Sequence, residues 1–382
     1  MTLRVDVKPE LLRWAYERAG LDDDAADDRF EHLRDWVSGE AKPTLKQLEK
    51  FARAVHVPIG FLFLAAPPVE RVPIPDFRTL ADRPVRRSSP DLLDTVYLCQ
   101  QRQEWYRDFA RIQGTAPLEF VGAATTASDV VETAAAIRAH LHFSVEERAG
   151  LPTWSDALRR FIEQADSAGV LVMINGIVGS NTSRKLDYRE FRGFALADPL
   201  APLVFINGAD SKSAQMFTLA HEIAHLWLGE SALSDAGADA SPTNRVERWC
   251  NQVAAELLVP LESIRRAYRE SAGIAPEVHR LARQYKVSTL VILRRLHDSG
   301  ALTRTQLAET YAAEVARLQG LVNEGGGGDF YRTQAVRVGK RFARALIVST
   351  LEGQTLHRDA FRLLGFSKLS TFRELGERLG VT

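Results

Sequence analysis

Five consecutive residues restrict what this chain can fold into more than any other feature of its sequence. Residues 221–225 read His-Glu-Ile-Ala-His, with the two histidines four positions apart. On an α-helix such positions lie on one face, so both imidazoles can reach one cation while Glu222 projects beside them. The motif follows an apolar, strand-like run. Residues 210–211 can cap a helix there and Gly229 can end it, so the sequence predicts a helix across the motif.

The spacing of His221, Glu222 and His225 is typical of a hydrolytic metal site. Zn²⁺ binds neutral imidazole nitrogens, and a catalytic zinc site keeps one position open for water, whose pKa falls to about 7 on the metal. Glu222 is then placed to accept the water proton as a general base. We expect one zinc ion per chain. Two histidines on a solvated helix face are the alternative, which the independent prediction of a capped helix disfavours.

A third protein ligand is expected, because two imidazoles alone hold zinc weakly. The next predicted helix, at about residues 244–258, offers Glu247 and Glu256. These carboxylates lie two and a half turns apart and cannot face the same point. We favour Glu247, because Asn251 shares its face and can hydrogen-bond the far nitrogen of a ligand histidine. Glu256 is expected behind the ligands or in a structural role, and Cys250 is favoured as a buried small side chain over a ligand.

The rest of the sequence predicts a mostly helical α+β protein with several parts. Short helices are expected over residues 1–66, followed by a proline-rich arm and a helical connector over residues 67–127. Residues 128–300 combine helices with short apolar runs separated by Gly, Asn, Asp and Pro, the pattern of a small sheet. Residues 301–382 are expected to be helical, with a break at the four glycines of residues 325–328.

Composition excludes several classes of site and partner. Lys and Arg total 49, as do Asp and Glu, so the net charge does not favour a polyanion or a membrane surface. No segment approaches the ~20 apolar residues that span a bilayer, and the N-terminus lacks the apolar core of a signal peptide. Cys99 and Cys250 are far apart and do not form a disulfide framework or a thiolate cluster. We therefore expect a cytoplasmic protein without a membrane partner.

Three separated motifs resemble, in order, the ImmA/IrrE family of metallopeptidases. They lie at residues 192–198, 217–225 and 247–260, and the resemblance extends over about residues 168–300. It implies a thermolysin-like α+β core with one zinc ion. It also implies cleavage of a particular folded regulator, such as a repressor or an antitoxin-like protein, in place of general digestion.

The resemblance also implies where a substrate would bind. In such peptidases an edge strand beside the zinc helix pairs with the substrate backbone. The candidate edge strand, residues 191–196, begins with Phe191, Arg192, Gly193 and Phe194. The residue that stabilises the oxyanion cannot be chosen from the sequence, and the candidates are Tyr188, Tyr268 and His279.

Residues 9–65 resemble a helix-turn-helix module of the phage-repressor type, most clearly over residues 36–52. The segment that would read DNA, residues 20–36, is rich in Asp and short for two helices. Residues 1–65 contain ten Lys and Arg against twelve Asp and Glu. A recognition helix lies among phosphates, which repel carboxylates. Protein docking or a structural role is therefore favoured, although DNA binding remains an alternative.

Together these features predict a zinc-dependent endopeptidase of regulatory type that cleaves a specific partner protein. The alternative is a non-proteolytic regulator or antitoxin-like protein that uses the peptidase fold as a binding scaffold, with or without DNA binding. The motif of His221, Glu222 and His225, with Glu247 as a third ligand, favours the enzyme.

Overall fold

The computed structural model describes two compact units of a mostly helical chain with a small mixed sheet, as expected for an α+β protein. The described residues are 4–76, 88–234, 244–319 and 335–381. The first unit combines residues 1–73 with 83–96, and the second combines residues 74–82 with 97–382. The four-part division expected from the sequence stays a prediction. The glycine break at residues 325–328 lies outside the described residues.

The first unit is a small helical module around one apolar core. Its helices are α1 (Pro9–Arg18), α2 (Asp23–Arg29), α3 (Leu33–Ser38) and α4 (Leu45–Ala54), followed by a 3₁₀ helix (Ile59–Phe63). Leu11, Leu12, Leu48 and Phe51 are almost fully buried in the core. Thr44 and Gln47 form a reciprocal capping box that begins α4.

Residues 20–36, which are short for two helices, hold α2 and the first four residues of α3, which ends at Ser38. The Asp22 side chain accepts from Ala25 N at 2.9 Å and caps α2. His32 adopts a left-handed conformation with φ of 70°, which turns the chain directly into α3. A side-chain cap and one left-handed residue therefore replace a longer connection.

The second unit is built around a four-stranded sheet with the order β1-β5-β4-β6. Strands β1 and β5 are parallel, and β4 is antiparallel to both β5 and β6. The four strands are buried throughout, which explains their apolar sequences. A separate hairpin is formed by β2 and β3. The strands are β1 (Leu171–Asn175), β2 (Ile177–Val178), β3 (Asn181–Lys185), β4 (Gly193–Leu196), β5 (Leu203–Asn207) and β6 (Ala232–Ser234).

The helices of this unit enclose the sheet and continue to the C-terminus. Helix α9 (Lys212–Leu228) packs on β4 and β5 and contacts α8 (Trp154–Ser167) and α10 (Arg245–Leu258). Helix α5 (Pro90–Ile112) belongs to this unit from residue 97 onward. The others are α6 (Val130–His140), α7 (Val145–Ala149), α11 (Leu261–Ala267), α12 (Ile274–Tyr285), α13 (Thr289–Asp298), α14 (Arg304–Gln319), α15 (Lys340–Leu351), α16 (His357–Leu364) and α17 (Leu369–Leu379), with a 3₁₀ helix at Glu270–Ala272 and a helical turn at residues 335–338. In the described ranges, none of the helices has the length and apolarity needed to cross a bilayer.

The C-terminal helices pack against the β1 end of the sheet. Gly339 precedes α15 with φ of 81°, and a Cβ there would lie 2.8 Å from the carbonyl oxygen of Val172 in β1. The buried Arg102 of α5 donates from Nε to the carbonyl oxygen of Leu363 at 3.0 Å. The helical region after residue 300 is therefore part of the same compact unit as the sheet.

Candidate metal centre

Helix α9 holds the His-Glu-Ile-Ala-His motif inside the protein. The Ser211 side chain caps the helix by accepting from Ala214 N, and Gly229 ends it in the left-handed region with φ of 70°. The side chains of His221, Glu222 and His225 are fully buried. The alternative of two histidines on a solvated helix face is therefore excluded.

Helix α10 brings a carboxylate to the two histidines. Asn244 caps this helix through Val246 N, and α10 packs along α9 so that Glu247 faces the motif. Glu247 Oε1 lies 3.0 Å from His225 Nε2, and Glu247 Oε2 lies 3.3 Å from His221 Nε2. The two Nε2 atoms are 3.1 Å apart. Two imidazole nitrogens and a carboxylate thus converge on one point.

The hydrogen bonding of His221 leaves its Nε2 lone pair inside this cluster. Asn251 Oδ1 lies 2.9 Å from His221 Nδ1, and an amide oxygen only accepts, so Nδ1 carries the proton. In the neutral imidazole, Nε2 is then an acceptor that faces the acceptor oxygens of Glu247. Such an arrangement is stable when a cation lies between the acceptors, and Asn251 occupies the position expected from the sequence.

The charges of the donors also fit a divalent cation. Burial disfavours ionisation of Glu247, but the two imidazoles outweigh it and lower the pKa of this carboxyl to about 2. Burial lowers the pKa of His225, which favours the neutral ring that binds metals. The residues present therefore fit a metal with two nitrogen ligands and one oxygen ligand.

The Glu222 carboxylate is buried beside these donors. Neither of its oxygens has a close hydrogen-bond partner within the described parts of the chain. Burial raises the pKa of Glu222 well above its usual range, the negative charge of Glu247 raises it further, and a weak hydrogen bond from Ser234 opposes the rise. A buried carboxyl with a high affinity for protons is suited to proton transfer.

Residues 165–297 match the family model of the IrrE N-terminal-like domain, a peptidase family. This stretch contains α9, α10 and every strand of the four-stranded sheet. The match supports the resemblance to the ImmA/IrrE family that the sequence motifs indicate. Residues 338–378, in the C-terminal helices, match a domain of unknown function (DUF8813). A search of the curated proteins finds no match.

Glu256 lies away from the metal cluster, so the expectation that it supports the ligands directly is wrong. Its carboxylate forms a buried ion pair with Arg295 and accepts from Leu261 N at 3.3 Å. The two and a half turns that separate it from Glu247 place it on the opposite face of α10. These contacts fit the structural role that was the other expectation for Glu256, because its carboxylate joins α10 to α13 and to the start of α11.

The candidate substrate strand is not an edge strand. Strand β4 begins at Gly193, and β6 pairs with it on the side away from β5. The sequence did not predict β6, because residues 232–234 are too few to form a recognisable strand pattern. Arg192, before β4, forms an ion pair with Asp210 at 3.1 Å. Phe191 and Phe194 are fully buried.

Gly193 lets β4 approach the Glu222 side chain. A Cβ at this position would lie 2.6 Å from Thr218 Cγ2, 2.8 Å from the carbonyl oxygen of Phe205 and 3.2 Å from Glu222 Oε1.

We expect Gly193→Ala to lower the free energy of unfolding by about 1–3 kcal/mol, because the contact with the backbone cannot relax. Urea unfolding measures this effect. Gly60→Ala is the matched control, because a Cβ there meets no atom within 4 Å, and an equal loss in both variants would refute the close approach.

Ser234, at the end of β6, is a site residue that sequence patterns did not indicate. Its hydroxyl lies 3.3 Å from His225 Nε2 and 3.4 Å from Glu247 Oε1. A single serine outside a known motif carries no signal in the sequence, and only the pairing of β6 with β4 reveals its position.

Cys250 is buried and burial raises its pKa well above the usual range, so it remains a thiol within the core. Tyr188, Tyr268 and His279 stay untested as oxyanion stabilisers.

Proposed function

We propose that this chain is a zinc-dependent endopeptidase of regulatory type that cleaves a specific partner protein. The convergence of His221, His225 and Glu247 beside the buried carboxyl of Glu222 is the observation that carries this proposal. The match of residues 165–297 to a peptidase family supports it. The partner class that we propose is a repressor or an antitoxin-like regulator.

Zinc is the metal that we propose, because two imidazoles and one carboxylate form a common ligand set of catalytic zinc. When bound, zinc polarises the scissile carbonyl as a Lewis acid and lowers the pKa of water. His221, His225 and Glu247 would hold the ion. Asn251 keeps the His221 ring in the orientation and tautomer that binding requires, through the contact at Nδ1.

Glu222 handles the protons of the hydrolysis. As a general base it accepts a proton from the attacking water, whose oxygen forms a bond to the carbonyl carbon. It then delivers this proton to the amide nitrogen as the C–N bond breaks, so the carboxylate is regenerated. The raised pKa of Glu222 supports both steps, since its buried carboxyl retains a proton more readily than an exposed one.

The charges on the helices of the first unit favour binding of a protein over binding of DNA. Its helices are compatible with the helix-turn-helix resemblance, and we propose that the module serves in docking. The only basic side chain of α3, Arg34, pairs with Asp27 of α2 through a contact of 2.9 Å. Asp35 adds a negative charge to the same helix. A short helix with this charge is poorly suited to phosphate contacts.

The test is a comparison of cleavage products. The wild-type chain and Glu222→Gln are incubated with extract of the source cells, and new protein N-termini are identified by mass spectrometry. We expect a small set of new termini that arise from one regulator and only with the wild-type chain. Cleavage of many unrelated proteins would contradict the regulatory specificity, and identical termini with both chains would contradict the proposed catalysis.

A second candidate is the non-proteolytic regulator, which uses the same fold as a binding scaffold. The covered side of β4 is the observation that favours it, because β6 occupies the position at which a substrate strand would pair. A stable complex with a partner that survives chelation, together with an intact partner under all conditions, would support this candidate over the enzyme.

A further inference from the structure

Ser234 lies beside two of the three donors, His225 and Glu247, at a spacing close to that of the donors among themselves. Its hydroxyl oxygen is 3.3 Å from His225 Nε2 and 3.4 Å from Glu247 Oε1. The three donors are separated by 3.0–3.3 Å. Ligands at about 2.0–2.2 Å around a tetrahedral zinc are about 3.3–3.6 Å apart. The distances from the hydroxyl to His225 and Glu247 fall within this range.

The contacts between this buried hydroxyl and the donors are long for hydrogen bonds. Ser234 is fully buried, and hydroxyl hydrogen bonds to oxygen usually measure about 2.5–3.0 Å. The contact with Glu247 is longer than this, and the contact with His225 is also long. A weak hydrogen bond from Ser234 to Glu222 opposes the rise in the pKa of that carboxyl, so the hydroxyl proton has an acceptor outside the three donors. A cation among the donors would satisfy the oxygen lone pairs of Ser234 directly.

Strand β6 fixes Ser234 in this place. Ala232, Leu233 and Ser234 pair with Ala195, Phe194 and Gly193 of β4. On the other side of β6, Leu233 N donates to the carbonyl oxygen of Pro75 at 2.9 Å. At the start of the strand, the Ser231 hydroxyl accepts from Ala197 N at 2.9 Å. The hydrogen bonds of the sheet therefore hold the backbone of Ser234 in place beside the donors.

We propose that the Ser234 hydroxyl is the fourth ligand of the resting metal site and closes it until substrate replaces this ligand. The inference rests on the metal site of the proposed function. Catalytic zinc sites need one exchangeable position, and a neutral hydroxyl is a weaker ligand than a thiolate, an imidazole or a carboxylate. Ser234 thus occupies the position that the reacting group would take at the metal, and β6 covers the side of β4 at which a substrate strand would pair. Displacement of β6 would open both positions.

Cobalt loading of the full chain tests this proposal without a substrate. In Ser234→Cys, a thiolate in the fourth position produces an intense near-ultraviolet charge-transfer band with Co²⁺. We expect this band in Ser234→Cys and not in the wild type. We also expect Ser234→Cys to retain zinc at least about tenfold better against a chelator, because a thiolate is a strong zinc ligand. The control Ser231→Cys places a thiol on the same segment, where the wild-type hydroxyl accepts from Ala197 N, and we expect no charge-transfer band from it.

Ser234→Ala provides a second variant that does not depend on a new thiol. We expect its visible Co²⁺ spectrum to change, because the hydroxyl ligand is lost. Its zinc retention is expected to fall by less than on loss of the charged Glu247 carboxylate, because water can take the place of a neutral hydroxyl. Bound cobalt without a charge-transfer band in folded Ser234→Cys would overturn the proposal and leave the three-ligand site intact. An unchanged spectrum in Ser234→Ala would also overturn it. A wild-type chain that binds no metal would overturn the proposed function as well.

Discussion

Glu222→Gln is expected to abolish cleavage of the partner while the chain retains its zinc. The substitution keeps the size of the side chain but removes the group that accepts the proton. General base catalysis contributes about 10²–10⁴-fold, so kcat is expected to fall by this factor. Glu222 is not among the three converging donors. Metal content, measured by elemental analysis, is therefore expected to stay at that of the wild type.

The control for this variant is Glu230→Gln, which makes the same change at an exposed position just past the end of α9. Its kcat is expected to equal that of the wild type. Cleavage at the wild-type rate by Glu222→Gln would remove Glu222 from the mechanism. Loss of zinc from Glu222→Gln would instead show that this carboxylate is needed for the metal and not only for the chemistry.

Glu247→Gln and Glu256→Gln make the same change on α10 but are expected to affect different properties. The first is expected to lower metal affinity, and the second is expected to lower stability. Glu247 faces the two imidazoles, so its substitution removes the charge of the carboxylate that we propose as a ligand. Loss of a residue that only supports a ligand lowers metal affinity by about 10–100-fold, and loss of the ligand itself is expected to reach at least about 100-fold. Competition with a chelator measures this affinity.

Glu256→Gln leaves the metal donors in place but leaves Arg295 without its buried partner. Both members of that ion pair are at least 94% buried. Removing one member of such a pair costs about 3–5 kcal/mol of unfolding free energy. We therefore expect Glu256→Gln to be destabilised in urea and to bind zinc with normal affinity. Equal metal affinity in the two variants would show that Glu247 is not the third ligand.

The metal donors were predictable because their spacing follows helix geometry. His221 and His225 share a face at four residues apart, and Asn251 shares a face with Glu247 for the same reason. Glu247 and Glu256 are two and a half turns apart, so helix geometry alone places their carboxylates on opposite faces of α10. Local periodicity therefore indicated which side chains point in the same direction.

Features that depend on long-range pairing were not predictable in this way. Strand β6 has three residues and becomes a strand only because β4 lies beside it. Neither the covered edge of β4 nor the role of Ser234 leaves a periodic signal in the sequence. The Arg295 that pairs with Glu256 is also distant in sequence, so the structural role of that carboxylate was open until the ion pair was seen.

X-ray absorption at the zinc edge of the purified full chain tests the metal site most directly. We predict one zinc ion per chain, surrounded only by nitrogen and oxygen at about 2.0–2.2 Å, with the outer scattering of two imidazoles. A chain that takes up no zinc would contradict the convergence of His221, His225 and Glu247 on a metal. A sulfur neighbour at about 2.3 Å would contradict it as well, because it would place Cys250 among the ligands.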